Sequence, residues 1–211
     1  MSGAPELFIL RHGETEWNRA GRMQGGLDSP LTARGAAQAE AQGRILRAFG
    51  IGGIGWISSP QGRARQTAEI ARGGPVETDD RLREIGMGDW AGLLREEIAA
   101  MVPDLFAPDA APLAWYGHAP GGETLDAVAA RVAAFLATLD GPRVVVTHGI
   151  TSRMLRCAAL GLPPEMFRHL EGGQGVVYRI GPGIYERLED GGAVPQQLPR
   201  SRPLAPTRRD R

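Results

Sequence analysis

Residues 7–18 read LFILRHGETEWN, in which four apolar residues run directly into an arginine, a histidine and a glycine. The apolar run predicts a short buried strand. In open α/β sheets, ligands bind beyond the carboxyl ends of the strands, so His12 is expected to face a cleft beside the permanent cation of Arg11. Gly13 is expected to let the backbone come close to a ligand there. A lone histidine is usually a structural residue, so this interpretation needs a second element of the same kind.

Two further predicted strands end in a similar way. The valines at 144–146 predict a buried strand that leads into His148 and a glycine. Residues 55–58 predict another strand, and Arg63 falls in the first turn of the helix that follows, where unpaired backbone N–H groups and the helix dipole favour an anion. The three strand ends together predict a crevice in which two imidazoles and two guanidinium groups meet an oxyanion.

The alternation of strands and helices predicts an α/β fold, a three-layer sandwich with a mostly parallel central sheet and helices on both faces. Helices are predicted at 32–49, 63–71, 91–101, 125–139 and 152–160, and a closing hairpin at 175–180 and 184–188. Residues 1–190 form one predicted domain, with an irregular excursion around 91–122. Residues 191–211 are rich in Pro, Gln and Arg and are predicted to be a solvated tail.

The composition excludes several functional classes. The 211 residues carry 24 basic and 24 acidic side chains, so binding of nucleic acid through bulk charge is not expected. No apolar run approaches the roughly 20 residues that span a bilayer, so no membrane association is expected. The N-terminus lacks a basic region followed by an apolar stretch, and Cys157 is the single cysteine. We therefore expect a cytoplasmic protein without a signal peptide or an intrachain disulfide.

Six stretches of the chain resemble, in order, the motifs of the histidine phosphatase superfamily, also called the phosphoglycerate mutase-like family. They are RHGETEWN at 11–18, DSPLTARG at 28–35, SSP at 58–60 with RARQTA at 63–68, LREIGMGDWAG at 82–92, GGET at 121–124 and THG at 147–149. Any one of these motifs is weak, whereas the ordered set is specific. The resemblance implies a phosphoglycerate mutase-like fold.

The resemblance also implies roles for the strand-end residues. His12 matches the nucleophile that accepts a phosphoryl group, and it must be neutral at the attacking nitrogen. Arg11 and Arg63 match residues that bind the phosphoryl oxygens, and their charges are expected to lower the pKa of His12. His148 matches a further donor that takes up charge on the phosphoryl oxygens, and Asn18 matches a neutral donor to the same group.

Other positions match the family's substrate side. Glu84 matches the acid–base residue, which should enter protonated, give its proton to the leaving alcohol and later take one from water. Gln24 and Gly25 match the stretch that lines the substrate pocket. The excursion forms a cap in this family, and its Trp115, Tyr116 and His118 either sort substrates or anchor a loop. No metal-ligand spacing such as His-x-x-x-His or Cys-x-x-Cys occurs, so no metal or cofactor is expected.

The sequence departs from the mutase branch at two places. Residues 84–88 read EIGMG where mutases usually have ERHYG, and Ile150 follows the second His-Gly where they tend to have asparagine. We therefore expect a metal-independent phosphomonoesterase of the small phosphatase branch, acting on a small phosphorylated metabolite through a phosphohistidine on His12. Phosphoglycerate mutase-type transfer is the alternative, and a non-catalytic phosphate-binding module is a further one. A homodimer is a further expectation, because dimers are common on this fold.

Overall fold

The computed structural model describes residues 4–189 and 191–199, so the rest of the predicted tail lies outside the described residues. A seven-stranded sheet has the order β3-β2-β4-β1-β5-β6-β7. The strands are β1 Leu7–Arg11, β2 Gly55–Ser58, β3 Glu77–Thr78, β4 Arg143–Thr147, β5 Val177–Gly181, β6 Ile184–Glu189 and β7 Gly192–Pro195. Strands β3, β2, β4 and β1 pair in parallel, and β5, β6 and β7 add to the β1 edge by antiparallel pairing.

Helices cover both faces of this sheet. On one face, α2 (Ala33–Ala48) and α3 (Gly62–Arg72) pack against Phe8 and Leu10 of β1. On the other, α5 (Leu125–Leu136) and α6 (Gly149–Leu160) pack against Leu7 and Ile9. Successive side chains of a strand point to opposite faces, so one apolar run supplies both cores. The predicted three-layer α/β sandwich is confirmed, with two shorter α-helices, α1 (Glu16–Arg19) and α4 (Arg95–Met101), outside these layers.

The structure moves several predicted boundaries. The helix predicted at 91–101 begins at Arg95, because Gly92 has the left-handed φ of 86° and breaks the preceding turn. Helix α6 begins at Gly149, directly after His148, rather than at 152. Part of the predicted tail differs as well, since Gly192–Pro195 pairs with β6 as an edge strand. The fully exposed edge tolerates Pro195, which has no N–H to donate.

The structure gives a reason for Gly13 that the sequence analysis did not foresee. A Cβ at this residue would overlap the carbonyl oxygen of Gly35, in the first turn of α2. A Cβ on Gly35 would in turn overlap the backbone oxygen of Glu14. Two glycines thus let helix α2 press backbone to backbone against the turn that follows β1. This contact fixes the path of the chain immediately after His12.

The cap excursion is anchored by aromatic packing. Trp115 is buried, with its ring centroid 3.9 Å from that of Tyr116 and 5.5 Å from that of Phe106. His118 is exposed. Of the two roles considered for this segment, substrate sorting and loop anchoring, the burial of Trp115 fits loop anchoring. Among the described residues, no helix combines the length and the apolar character needed to cross a membrane.

Candidate active site

His12 is buried at the carboxyl end of β1, and one of its ring nitrogens is already committed. Its Nδ1 lies 2.7 Å from the backbone oxygen of Gly13. A carbonyl oxygen only accepts, so Nδ1 carries the proton and the lone pair of Nε2 remains available. Burial, and then the charges of Arg11 and Arg63, hold the pKa of His12 well below its ordinary value. The charge effect was predicted from the sequence, whereas the larger effect of burial was not.

His148 lies beside His12 and is completely buried. It follows β4, the parallel neighbour of β1, and the two imidazole centroids are 5.2 Å apart. Its Nε2 is 2.7 Å from the hydroxyl oxygen of Ser59, at the end of β2. Burial and the nearby charges of Arg63, His12 and Arg11 hold the pKa of His148 well below its ordinary value. Both imidazoles are therefore neutral in the resting site.

Arg63 points from the first turn of α3 toward His12 and is 2 % exposed. Its Nη1 donates to the carbonyl of Leu27 at 2.7 Å and to Asp28 at 3.0 Å, and its Nη2 donates to the carbonyl of Gly25 at 3.0 Å. Its Nε also donates to Nε2 of His12, over a longer distance of 3.4 Å. Asp28 also accepts from the backbone N–H of Arg63. Asp28 thus aims this guanidinium, a role that the DSPLTARG motif contained but the sequence analysis did not assign.

Arg11 stands at the last position of β1 and is the less committed of the two site arginines. Its Nε is buried and has no hydrogen-bond partner within 4–189 and 191–199. The guanidinium carbon lies 3.6 Å from where a Cβ of Gly149 would stand, at the start of α6. An anion that entered here would meet unpaired N–H groups of Arg11 together with the N-terminal end of a helix.

Glu84 is held by the same helix end. Its carboxylate accepts the backbone N–H groups of Ile150 and Thr151, each at 3.1 Å, and the Thr151 hydroxyl lies 3.2 Å away. A Cβ on Gly149 would lie 3.4 Å from Oε2 of Glu84. The carboxylate therefore caps α6 and lines the same pocket as Arg63.

The three remaining predicted residues are all on the wall of this pocket. Asn18 accepts the N–H of Thr15 at 3.2 Å and the side-chain amide of Gln174 at 2.9 Å through its oxygen, which directs its own NH₂ group elsewhere. Gln24 is buried and donates to the Thr15 hydroxyl at 2.9 Å. Gly25 has a φ of 52°, and a Cβ there would overlap Met87.

The cavity between these groups has a volume of about 100 Å³, the share of liquid volume of roughly three water molecules. Seven of the eight predicted site residues line it, and the eighth, His148, adjoins the lining residue His12, with the two ring centroids 5.2 Å apart. The lining residues that the sequence analysis did not assign to the site are Arg22, Met23, Ile85, Met87 and Tyr116. A larger groove of about 850 Å³ between α5 and α6 has an aliphatic lining with Cys157 as its one titratable side chain.

Tyr116 is the cap residue that reaches the pocket. Burial, and then the charge of Glu84, raise the pKa of its phenol to about 12. The phenol is therefore protonated and able to donate a hydrogen bond. The sequence analysis left open whether Tyr116 sorts substrates or anchors a loop. Its position on the pocket wall favours contact with a substrate. Across the described part of the chain, no three His, Cys, Asp or Glu side chains cluster as metal ligands.

Comparison with known proteins identifies the family of this chain. The profile of the histidine phosphatase superfamily (branch 1) matches residues 7–186. A probable phosphoglycerate mutase GpmB of Salmonella paratyphi B is 38 % identical over 175 residues, which cover 78 % of this chain and 79 % of that protein.

Two solved structures illustrate the similarity in fold. A mycobacterial glucosyl-3-phosphoglycerate phosphatase in complex with VO₃ has a TM-score of 0.72 and 35 % identity, over 84 % of this chain and 93 % of that one. The α-ribazole phosphatase of Shigella flexneri also has a TM-score of 0.72, with 27 % identity over 92 % and 95 % of the two chains. Because the family profile covers residues 7–186, and with them every residue of the site, this chain belongs to branch 1 of the histidine phosphatase superfamily.

Proposed function

We propose that this protein is a metal-independent phosphomonoesterase that hydrolyses a small phosphorylated metabolite through a phosphohistidine on Nε2 of His12. The observation that carries the proposal is the 2.7 Å contact from Nδ1 of His12 to the Gly13 carbonyl. This contact leaves a neutral Nε2 lone pair beside two arginines. A nucleophile, a charge clamp and an acid–base group within one pocket are what a two-step phosphoryl transfer requires.

Binding rests on charge. A phosphate monoester carries about −1.5 to −2 charge at pH 7. Arg11 offers its Nε–H, which has no partner among the described residues, and Arg63 stands with its Nε 3.4 Å from Nε2 of His12. Two guanidinium groups roughly neutralise the ester, and Asn18 and His148 add neutral donors for the charge that develops on the phosphoryl oxygens.

The first step breaks the ester bond. Nε2 of His12 attacks phosphorus, the P–N bond forms, and the bond from phosphorus to the alcohol oxygen breaks. The negative charge of the bound ester disfavours a second negative charge beside it, so Glu84 is protonated in the complex; it gives its proton to that oxygen, and the alcohol leaves neutral. In the second step, water attacks phosphorus as Glu84 takes one of its protons. The P–N bond breaks, inorganic phosphate leaves, and both His12 and protonated Glu84 are regenerated.

The names of relatives point to two related reactions, hydrolysis of a phosphate ester and transfer of its phosphoryl group. One relative is a phosphatase whose structure was solved with VO₃, and another is an α-ribazole phosphatase. The name of the Salmonella relative, a probable phosphoglycerate mutase, favours the second candidate, transfer of the phosphoryl group to another hydroxyl. We favour hydrolysis because Gly86 and Met87 stand where mutases usually have histidine and tyrosine.

A direct test uses the purified protein with a panel of phosphate monoesters and with 3-phosphoglycerate, all in the presence of EDTA. We expect release of inorganic phosphate from several esters, and an acid-labile phosphoenzyme after rapid quenching with ³²P-labelled substrate. Isomerisation of phosphoglycerate that outpaces phosphate release would reverse the ranking in favour of the mutase. Complete loss of activity in EDTA, restored by a divalent cation, would contradict the metal-independent mechanism.

We further propose that the protein acts on a metabolite of the cytoplasm. Its single cysteine cannot form an intrachain disulfide, and proteins without disulfides are typical of that reducing compartment. Cys157 is buried in the core beside α5, and burial raises the pKa of its thiol to about 11. This cysteine is therefore inert in the proposed reaction.

A further inference from the structure

The proton arrangement around His148 is a feature that the proposed mechanism does not yet use. Nε2 of His148 is 2.7 Å from Oγ of Ser59. The same Oγ accepts the backbone N–H of Gln61 at 3.3 Å. Nδ1 of His148 is buried and has no partner among residues 4–189 and 191–199. Both His148 and Ser59 are completely buried, so within this part of the chain their protons have few destinations.

Two arrangements of protons are possible for this pair. If Nε2 donates to Ser59, the serine oxygen accepts twice, and both its own hydrogen and the lone pair of Nδ1 lack a partner in the described structure. If the Ser59 hydroxyl donates to Nε2, the oxygen accepts from Gln61 and donates to His148, and only Nδ1–H is left over. Buried polar groups are seldom left unpaired, so the second arrangement is favoured.

The sheet order places His148 beside the proposed phosphoryl site. Strand β4 lies between β2 and β1, so His148 stands between Ser59 after β2 and His12 after β1. Nε2 faces Ser59, and Nδ1 is on another side of the ring, whose centroid is 5.2 Å from that of His12. A phosphoryl group on His12 would supply the acceptor that Nδ1–H lacks.

We propose that Ser59 is a positioning residue that holds His148 in the Nδ1–H tautomer and so aims this N–H at a phosphoryl oxygen bound at His12. The inference rests on the proposed function for the identity of that oxygen. No proton is transferred in this arrangement. The hydrogen bonds from the Gln61 N–H to Ser59 and from the Ser59 hydroxyl to His148 only fix the orientation of the groups. The choice of tautomer matters because the low pKa of His148 keeps the ring neutral, with a single N–H.

The test is a long-range ¹H–¹⁵N NMR spectrum of the full chain labelled with ¹⁵N-histidine, which distinguishes protonated from unprotonated ring nitrogens. The four histidines are assigned by single substitutions. In the resting protein we expect His148 to be protonated on Nδ1. Titration with inorganic phosphate should shift the Nδ1–H resonance while the tautomer remains the same. Protonation on Nε2 in the resting protein would overturn the proposal without any variant.

The Ser59→Ala variant adds a second test. It removes the donor to Nε2, so we expect a spectrum in which the Nε2–H tautomer is populated, and a fall in kcat of roughly 10- to 100-fold, below the full cost of an oxyanion donor. The matched control is Ser58→Ala, which removes a buried hydroxyl from the preceding residue that donates only to the Ser59 carbonyl, at 3.0 Å. This control should leave the His148 tautomer unchanged.

The outcomes separate this proposal from the proposed function. A Ser59→Ala variant that loses kcat while His148 keeps the wild-type tautomer would show that Ser59 acts by another route, and would overturn the inference. A wild-type protein that shows the expected tautomer and phosphate response but hydrolyses no ester would contradict the phosphatase assignment and leave the role of Ser59 supported.

Discussion

The two histidine turns have nearly the same local sequence and very different surroundings. Each consists of a buried strand followed by histidine and glycine. After β1, Nδ1 of His12 donates to the next carbonyl in the chain, and the unprotonated Nε2 accepts a long bond of 3.4 Å from Arg63. After β4, Nε2 of His148 is bound to Ser59, and Nδ1 has no partner in the described part of the chain. The same dipeptide therefore presents opposite ring nitrogens, which suit a nucleophile in one turn and a donor in the other.

The glycines differ in the same way. Gly13 is pressed against the backbone of α2, whereas Gly149 starts α6 and faces Arg11 and Glu84. The first glycine allows two backbones to approach, and the second leaves room at the edge of the pocket. The comparison teaches that a repeated motif gives its position in a fold but not its role, which is set by the neighbours that each copy meets. The predictions below test that difference.

The largest effect is expected for His12→Ala, because this change removes the proposed nucleophile. We expect kcat to fall by roughly 10⁴-fold or more, and the ³²P-phosphoenzyme to disappear. Steady-state hydrolysis of p-nitrophenyl phosphate measures the loss. The control is His169→Ala, which removes an exposed histidine outside the pocket and should retain activity. Hydrolysis that survives in His12→Ala would mean that the activity does not come from this site.

His148→Ala should have a smaller effect of a different kind. Loss of one donor to the developing charge is expected to lower kcat by roughly 10²- to 10³-fold. The phosphoenzyme should still form on His12, but more slowly, and rapid-quench kinetics would detect it. An equal loss in the two histidine variants, with no phosphoenzyme in either, would remove the distinction between nucleophile and donor.

The two glycines should differ in stability rather than in chemistry. Gly13→Ala forces a methyl group into the Gly35 carbonyl, so we expect the free energy of unfolding to fall by about 1–3 kcal/mol. Gly149→Ala places its methyl in ordinary contact, 3.4 Å from Oε2 of Glu84, at a helical position where alanine is favoured over glycine. Its free energy of unfolding should be unchanged or slightly higher. Urea denaturation of both variants measures the contrast, and equal destabilisation would contradict it.

The smallest effect concerns pH. His12 must be neutral to attack. Its pKa lies well below the ordinary value of 6.5, so the imidazole stays neutral in mildly acidic solution. The acidic limb of kcat/KM that His12 sets should therefore lie well below pH 6.5. Arg11→Met removes one of the charges that lower this pKa, so the limb should move to higher pH as the imidazolium forms more readily.

The control for the pH series is Arg34→Met, which removes an arginine whose side chain is 74 % exposed. Wild type and both variants are compared on the same ester, so that the ionisation of the substrate cancels. A limb that stays in place in Arg11→Met, or one that moves toward acid, would show that Arg11 does not act on the protonation of His12.

Much of the fold and of the site was predictable because its signals are local. The valines of β4 and the apolar run of β1 are short buried strands, and their pattern alone predicts a sheet covered on both faces. Parallel neighbours bring their carboxyl ends to one edge, so His12, Arg11 and His148 could be placed together before any coordinates. The ordered motifs added Glu84, Asn18, Gln24 and Gly25, and the structure gathers all of them around one cavity, with His148 next to the lining residue His12.

What only the tertiary structure decided depends on contacts between distant parts of the chain. Ser59 and His148 are 89 residues apart, Asp28 and Arg63 are 35 apart, and Glu84 meets α6 across 67 residues. Hydrophobic periodicity reports which face of an element is buried, but it carries no information about which polar atoms meet across elements. The sequence therefore determined which residues stand at the strand ends. For His12, the carbonyl of the next residue, Gly13, holds the proton on Nδ1, so this contact is local. For His148, the partner of Nε2 is Ser59, which only the pairing of β2 with β4 brings within reach, and a sequence pattern carries no signal for that contact.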